Sequence, residues 1–423
     1  MRYPSAEDYV KAVQRLESFT DDDLRRMELV VHPLYQIPMP AAGTSAVVFK
    51  AVLDGEAQAL RFFTRADTWS AERYPSLHNH FIATGLASSV AMPLWVNDAI
   101  RVNGSSWPVV RMQWVEGHTL NKYVEDLIQQ KDIRSLSTLA AAWRELVTRL
   151  QRAEFAHGDL QHGNILVDSG SEIRLVDFDC SWVARFAGGP APSETGHRNY
   201  QPASRPWGQW MDTFSGLVIY VSLLALSKNP HPWSTLNTGE NLLFRHDDFH
   251  PPFGTPTWTQ LSSIGDRQLD DLVSRLKECC TPGWVASGGL DDLLAPRVKP
   301  WWERTQTEVA AAVGAPPRAP EPPRAPLPPP RPERWPEVRP QPNRVPPRPP
   351  SPDWWQAVPG GGTRERPGQR PRAKRNIGRV IATALLAGFV VGGLSGAAAG
   401  AVGVPVGLIV SILVLIVGLA KRQ

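Results

Sequence analysis

"HGDLQHGNIL", residues 157–166, is followed closely by "LVDFD", residues 175–179. Together they set three short oxygen-bearing side chains, Asp159, Asn164 and Asp177, beside apolar runs. The intervening "ILVDSGSEIRLVDF" (165–178) reads as a strand, a Ser-Gly turn and a second strand. Closing that hairpin brings Asn164 and Asp177 to the same end of the strand pair. Hard divalent cations such as Mg²⁺ take oxygen ligands and usually accept only one or two from protein. Phosphoryl transfer needs such ions on the phosphates, an acceptor hydroxyl held in line and a carboxylate near that hydroxyl. The spacing suits that chemistry, with Asn164 and Asp177 as metal ligands and Asp159 as the base. The plainer alternative is that His157 and Asp159 cap a turn and Asp177 is a surface acid.

Working outward, "SAVVFKAVL" (45–53) and "AQALRFF" (57–63) flank Asp54-Gly55, a strong hairpin signal. "WPVVRMQWVEG" (107–117) reads as a strand that ends in a glycine turn. "STLAAAWRELVTRLQRAEF" (137–155) has helical spacing at Leu139, Trp143, Leu146 and Leu150. "FSGLVIYVSLLAL" (214–226) is apolar all round but too short to span a bilayer, so it reads as a buried core helix.

The pair of motifs resembles the catalytic and metal loops of the protein-kinase-like superfamily, H-x-D-x-x-x-x-N followed by D-F-G. His157, Asp159, Asn164, Asp177 and Phe178 carry the match, and the likeness extends over roughly residues 30–280. It implies a bilobal α+β fold, with a small β-rich N-lobe and a larger helical C-lobe, that uses ATP and Mg²⁺. On that reading residues 1–30 are an N-terminal helical extension and 31–300 the kinase-like domain. "AAGTSAVVFKA" (41–51) resembles the phosphate loop, in which Gly43 alone keeps a glycine and Ala41 and Ala46 replace the outer two. Arg61 stands where the ATP-binding lysine is expected, and no partner acid for it is evident, Glu72 lying too early. Gln113 to Val115 resemble the linker that holds adenine, with Met112 at its gate. Asp212 resembles the residue that ties down the catalytic-loop backbone, a feature that favours protein kinases. "GHRNYQP" (196–202) resembles the end of an activation segment. Three positions depart from the pattern: Gly158 replaces an arginine, Gln161 a lysine, and Asp179 the metal-loop glycine. "HGDLxxGN" with "DFD" is also similar to aminoglycoside phosphotransferases, which lack that lysine too.

The chain carries +4 at pH 7, unevenly spread. Residues 315–379 hold fourteen Lys and Arg against five acids, and Lys421 and Arg422 add two more positive charges, so the first 314 residues are near −7. The basic character belongs to the tail, and no nucleic-acid partner is expected. Residues 315–371 contain 21 of the 41 prolines, which block helix and sheet pairing, so a disordered linker is expected. Pro326, Pro329 and Arg331 match a P-x-x-P-x-R docking pattern. Residues 380–420 carry no charge. One helix of that length would run about 62 Å, twice the hydrocarbon core, so a transmembrane hairpin turning near 403–407 is expected, or else a single tilted span. Basic residues on both flanks favour cytoplasmic ends, which places the protein at the cell membrane with its kinase domain in the cytoplasm. Gly388, Gly392, Gly396 and Gly400 give one helix face bare backbone and suggest self-association. The N-terminus lacks the apolar run of a secretory signal. The scattered histidines show no metal spacing, and Cys180 reads as a small packed thiol.

Three functions compete at this stage: a membrane-tethered ATP-dependent protein serine/threonine kinase, a pseudokinase scaffold favoured by Arg61 and the eroded glycine loop, and a small-molecule or lipid kinase.

Overall fold

The computed structural model describes residues 2–43, 45–66 and 69–296. The expected linker (315–371), the expected membrane segment (380–420) and its spaced glycines lie outside the described residues. Among the described residues, no helix is long and apolar enough to cross a membrane.

Strands β1 (Glu28–Leu29), β2 (Ala41–Ala42), β3 (Ala46–Leu53), β4 (Glu56–Phe63), β5 (Pro93–Val102) and β6 (Ser105–Gln113) make one antiparallel sheet. Its order is β1-β3-β4-β6-β5, with β2 also paired to β3. The β3–β4 hairpin closes where expected. Asp54 and Gly55 both have positive φ (50° and 88°), as a tight two-residue connection requires. Side-chain alternation along β4 sorts the two faces of the sheet. Leu60 and Phe62 point into a cluster with Tyr9, Val13, Phe19, Leu24 and Met27, while Ala59 and Phe63 join the larger core on the other side.

That cluster changes the picture of the N-terminus. Residues 2–30 contain two helices, α1 (Ala6–Val13) and α2 (Asp22–Arg26). They are not an appendage, because their apolar side chains seal the outer face of the sheet and β1 extends its edge. The Tyr9 hydroxyl donates to the Phe63 carbonyl at 2.9 Å, which ties α1 to the end of β4.

Helix α3 (Ser70–Ala83) packs on the sheet's inner side, and β6 leads into β7 (Gly117–Thr119), α4 (Leu120–Gln129) and α5 (Ile133–Arg152). The glycine turn read at Gly117 is instead the first residue of a strand. β7 pairs with β9 (Ile165–Asp168), which pairs with β10 (Ile173–Leu175) in the expected hairpin. A Cβ at Gly117 would lie 2.3 Å from the Val167 carbonyl oxygen, so the glycine permits this pairing rather than a turn. Two short strands, β8 (Phe155–Ala156) and β11 (Trp182–Val183), pair on either side of the opening motifs.

The remainder is helical: α6 (Thr213–Lys228), α7 (Trp233–Leu236), α8 (Pro256–Ser262), α9 (Arg267–Cys279) and α10 (Leu290–Leu294). Leu139, Trp143, Leu146 and Leu150 of α5 are all buried, in keeping with their spacing. Residues 213–227 of α6 are buried without exception, as a helix apolar on every side must be. The two helices meet at Gly216. A Cβ there would lie 3.1 Å from Val147, and Trp143 Nε1 donates to the Gly216 carbonyl at 3.0 Å. Gln151 fastens the same region, donating to Thr213 Oγ1 at 3.0 Å and accepting the Leu290 N–H at 2.7 Å. This packing fixes the start of α6, and hence Asp212, beneath the loop that carries Asp159.

Candidate active site

Asp212 accepts the backbone N–H of His157 through Oδ2 and that of Gly158 through Oδ1, the latter at 2.9 Å. It therefore clamps the catalytic-loop backbone, the role expected for it. Burial pushes its carboxyl up, opposed by His157 and Arg205 and by the two N–H donors. Arg205 holds the loop from the other side, donating to the Gly158 carbonyl at 2.8 Å and to the Thr195 carbonyl at 2.6 Å. The His157 ring is locked too. The Asp159 N–H donates to its Nδ1 at 3.3 Å, so the ring proton sits on Nε2 and is donated to the Val176 carbonyl at 2.9 Å. That bond joins the catalytic loop to the strand end that leads into Asp177.

Phe178 is fully buried, with its ring 5.3 Å from Phe81 of α3 and 5.5 Å from His157. Packed beneath α3, Phe178 leaves Asp177 facing the cleft. Asp177 adopts a left-handed backbone, φ 66°, which short polar residues tolerate better than most.

Asp159 and Asn164 are in direct contact: Asn164 Nδ2 donates to Asp159 Oδ2 at 2.9 Å and to its carbonyl at 3.0 Å. The other carboxylate oxygen of Asp159 accepts the His197 N–H at 2.7 Å. Each oxygen thus has one donor and retains a lone pair for an incoming hydroxyl. Burial pushes the Asp159 carboxyl up, against the His197 N–H that favours the anion. A carboxylate so raised is a better proton acceptor. The same bonds fix the Asn164 amide: its nitrogen is committed to Asp159, so Oδ1 is its acceptor atom.

A cavity of about 810 Å³ opens between the sheet and the β9–β10 hairpin. Its walls are mainly apolar, including Val48, Ala59, Met112, Leu166 and Val176. Arg61, Asn164 and Asp177 share this lining with the linker residues Gln113 and Val115. Of the sequence-derived site residues, Gly43 and Asp159 do not line it; Asp159 adjoins it through its contact with Asn164, and Ala41 and Val48 line it from the hairpin that carries Gly43. The Gly43 N–H is already spent on the Ala46 carbonyl at 2.9 Å, so it closes the hairpin turn instead of offering a free donor. A Cβ at Gly43 would meet only an ordinary contact, 3.5 Å from that oxygen. Gly43 therefore has no steric need to be glycine.

Arg61 is the main surprise. Although no partner acid is evident from sequence, the structure supplies two. Nη1 donates to Asp177 Oδ1 at 2.5 Å and Nη2 to Asp179 Oδ2. Asp179 in turn accepts the Tyr74 hydroxyl of α3 at 2.5 Å. Enclosure in the cleft disfavours the Asp177 carboxylate, but the Arg61 guanidinium outweighs it and holds that carboxyl below its usual range. Burial pushes the Asp179 carboxyl up, opposed by Arg61. No local pattern marks Tyr74 as a site residue, His197 is legible only as part of the segment 196–202, and Asp179 only as a departure from the motif. The available signal was the coincidence of an unpaired basic residue on β4 with a surplus acid in the metal loop. Glu72 lies in the first turn of α3 and plays no part in this network.

Cys180 is buried beside the site, and burial pushes its thiol well up, consistent with a packed side chain. Among the described residues, no group of three or more His, Cys, Asp or Glu could hold a metal. A nucleotide-borne Mg²⁺ needs fewer ligands. Asn164 and Asp177 fit that need, both lining a cavity of nucleotide size, with the Asn164 amide nitrogen committed to Asp159 and the Asp177 side chain 44% exposed.

Sheet, cleft and motif geometry together are consistent with a protein-kinase-like fold. The ABC1 atypical kinase-like domain matches residues 99–183, a stretch that runs from within β5 to β11 and takes in Asp159, Asn164 and Asp177 but neither Gly43 nor Arg61. Among curated proteins no sequence matches the chain. The similarity supports kinase-like chemistry with ATP and Mg²⁺ at the level of the superfamily.

Proposed function

We propose that the chain is an ATP- and Mg²⁺-dependent phosphotransferase whose acceptor is a serine or threonine hydroxyl of a protein. The observation that carries this reading is the contact between Asp159 and Asn164 beside a cavity that Asn164 shares with Asp177. In it the apolar walls and the linker Gln113–Val115 take the adenine, and the phosphates point toward Arg61, Asn164 and Asp177. Mg²⁺ held by Asn164 and Asp177 would spread the charge of the transferring phosphoryl group. Asp159 orients the acceptor hydroxyl and takes its proton as the new O–P bond forms and the bond to the ADP leaving group breaks. The clamp of Asp212 on the loop backbone and the segment around His197 that reaches Asp159 support a protein acceptor over a small molecule.

The test is transfer of labelled γ-phosphate by the full chain, set against Asp177→Ala. We expect label on protein with the parent only. Equal labelling by both would remove Asp177 from the reaction, and label only on low-molecular-weight alcohols would move the assignment to a small-molecule kinase. A second reading, a nucleotide-binding pseudokinase, is favoured by one specific observation: Arg61 is already ion-paired to Asp177. Nucleotide binding without transfer to any acceptor would select it.

The uncharged stretch 380–420 and its basic flanks support attachment of this domain to the cytoplasmic face of the cell membrane. Deleting residues 372–423 is expected to move the protein into the soluble fraction. Retention in membranes after the deletion would count against the anchor.

A further inference from the structure

The guanidinium of Arg61 is shared between two acids, one of which the proposed reaction needs and one of which it does not. Asp177 is the candidate metal ligand. Asp179 is displaced from that duty: its side chain is 11% exposed, against 44% for Asp177, and it does not line the cavity. Yet Asp179 is heavily invested. One oxygen takes Arg61 Nη2 and the other takes the Tyr74 hydroxyl from α3. A buried carboxylate with a cation on one oxygen and a phenol on the other is held in place, and so is its cation.

Resting on the phosphotransferase reading, we propose that Asp179 is the positioning residue for Arg61: it takes one arm of the guanidinium, leaving Asp177 only the other, and so keeps Asp177 open to the cation. The two acids compete for one cation. Arg61 has a side chain 6% exposed and cannot be left without a counter-ion at low cost. With Asp179 present, half of its fork is satisfied away from the metal ligand. Without that charge, Asp177 becomes the sole carboxylate partner of a buried cation, and a divalent ion must displace the guanidinium to bind. The Tyr74 hydroxyl makes this division depend on α3, because it fixes the Asp179 carboxylate from the helix side. A protein-kinase lysine pairs with a glutamate on the corresponding helix. Here the acid sits in the metal loop, and the helix contributes the Tyr74 hydroxyl together with the charge of the buried Arg73, which also favours the Asp179 carboxylate.

The experiment titrates Mg²⁺ while following binding of a fluorescent, non-hydrolysable ATP analogue to the full chain. Asp179→Asn is expected to raise the half-saturating Mg²⁺ concentration about tenfold, within the range found for residues sharing one ion-pair network. Tyr74→Phe, which removes a hydrogen bond and no charge, is expected to shift it in the same direction by about twofold to threefold. Melting of each variant without ligand identifies any that fail to fold; Tyr74→Phe then carries the test, because it leaves every charge in place. Combining Asp179→Asn with Arg61→Gln distinguishes competition from a general field effect. If Arg61 is the competitor, the Asp179→Asn shift disappears in the Arg61→Gln background. An undiminished shift there would overturn the proposal, as would an unchanged Mg²⁺ requirement in Asp179→Asn. A parent chain that binds no nucleotide at any Mg²⁺ concentration overturns the phosphotransferase reading itself, and this role with it. Normal parent binding with an unresponsive Asp179→Asn removes the Asp179 role alone.

Discussion

Asp159→Asn is expected to lower phosphoryl transfer by roughly 10²–10⁴-fold, the usual contribution of a positioned general base. The carboxylate has one donor on each oxygen, Asn164 Nδ2 at 2.9 Å and the His197 N–H at 2.7 Å. An amide has a single oxygen, so the variant can keep one of these bonds and must turn its NH₂ toward the other donor. It therefore loses the proton acceptor and also disturbs the link either to Asn164 or to the segment at His197. The two losses separate in the measurements. If the amide oxygen stays on Asn164, the cation-binding side is intact, and Mg²⁺-nucleotide affinity is expected to remain within about twofold of the parent while turnover collapses. If it turns to His197 instead, affinity falls along with turnover. A variant that keeps its turnover within about tenfold of the parent's would remove Asp159 from proton transfer.

Much of this geometry is legible in the chain before folding is considered, and what was legible is local. Asp54-Gly55 announces the β3–β4 hairpin because left-handed backbone at both turn positions suits few residue pairs. The 3.6-residue rhythm of Leu139, Trp143, Leu146 and Leu150 announces α5, and the unbroken apolar character of 214–226 announces a helix with no exposed face. Asn164 and Asp177 come together because a short hairpin joins them. The misses are of another kind. Arg61 lies 116 residues from Asp177 and 118 from Asp179, and no local pattern reports a pairing that exists only once the sheet closes over the loops. Gly117 carries the composition of a turn but begins β7, because the constraint on it comes from a neighbouring strand. The N-terminal helices read only as an extension because nothing in their own sequence states which surface their apolar side covers. The outer face of β3 and β4 needed a cover, and Tyr9, Phe19 and Leu24 provide it.

Gly158 shows how a departure from a familiar motif can have its origin in the backbone. An arginine is expected there by resemblance, and its loss reads as loss of a clamp for a phosphorylated loop. The structure gives a steric cause: φ at Gly158 is +79°, and a Cβ would lie 2.3 Å from the Cys180 carbonyl oxygen and 2.8 Å from the Cys180 carbonyl carbon and Cβ. Neither partner is free to move. The Gly158 N–H is held by Asp212 at 2.9 Å and its carbonyl by Arg205 at 2.8 Å, while the Cys180 carbonyl accepts Trp207 Nε1 at 3.2 Å. Gly158→Ala is therefore expected to cost about 1–3 kcal/mol for left-handed backbone, plus a further ~1–3 kcal/mol to relieve the overlap. Gly188 supplies the control, since it shares the φ of +79° but has nothing within 4 Å of the place a methyl group would occupy. Gly188→Ala thus carries the backbone cost alone, and the difference between the two variants in urea unfolding reads the Cys180 collision directly. Equal destabilisation by the two would mean that Cys180 yields without cost, and the missing arginine would then need an explanation other than space. A Gly158→Arg variant as stable as the parent would refute the steric account outright, because every side chain at this position begins with the same Cβ.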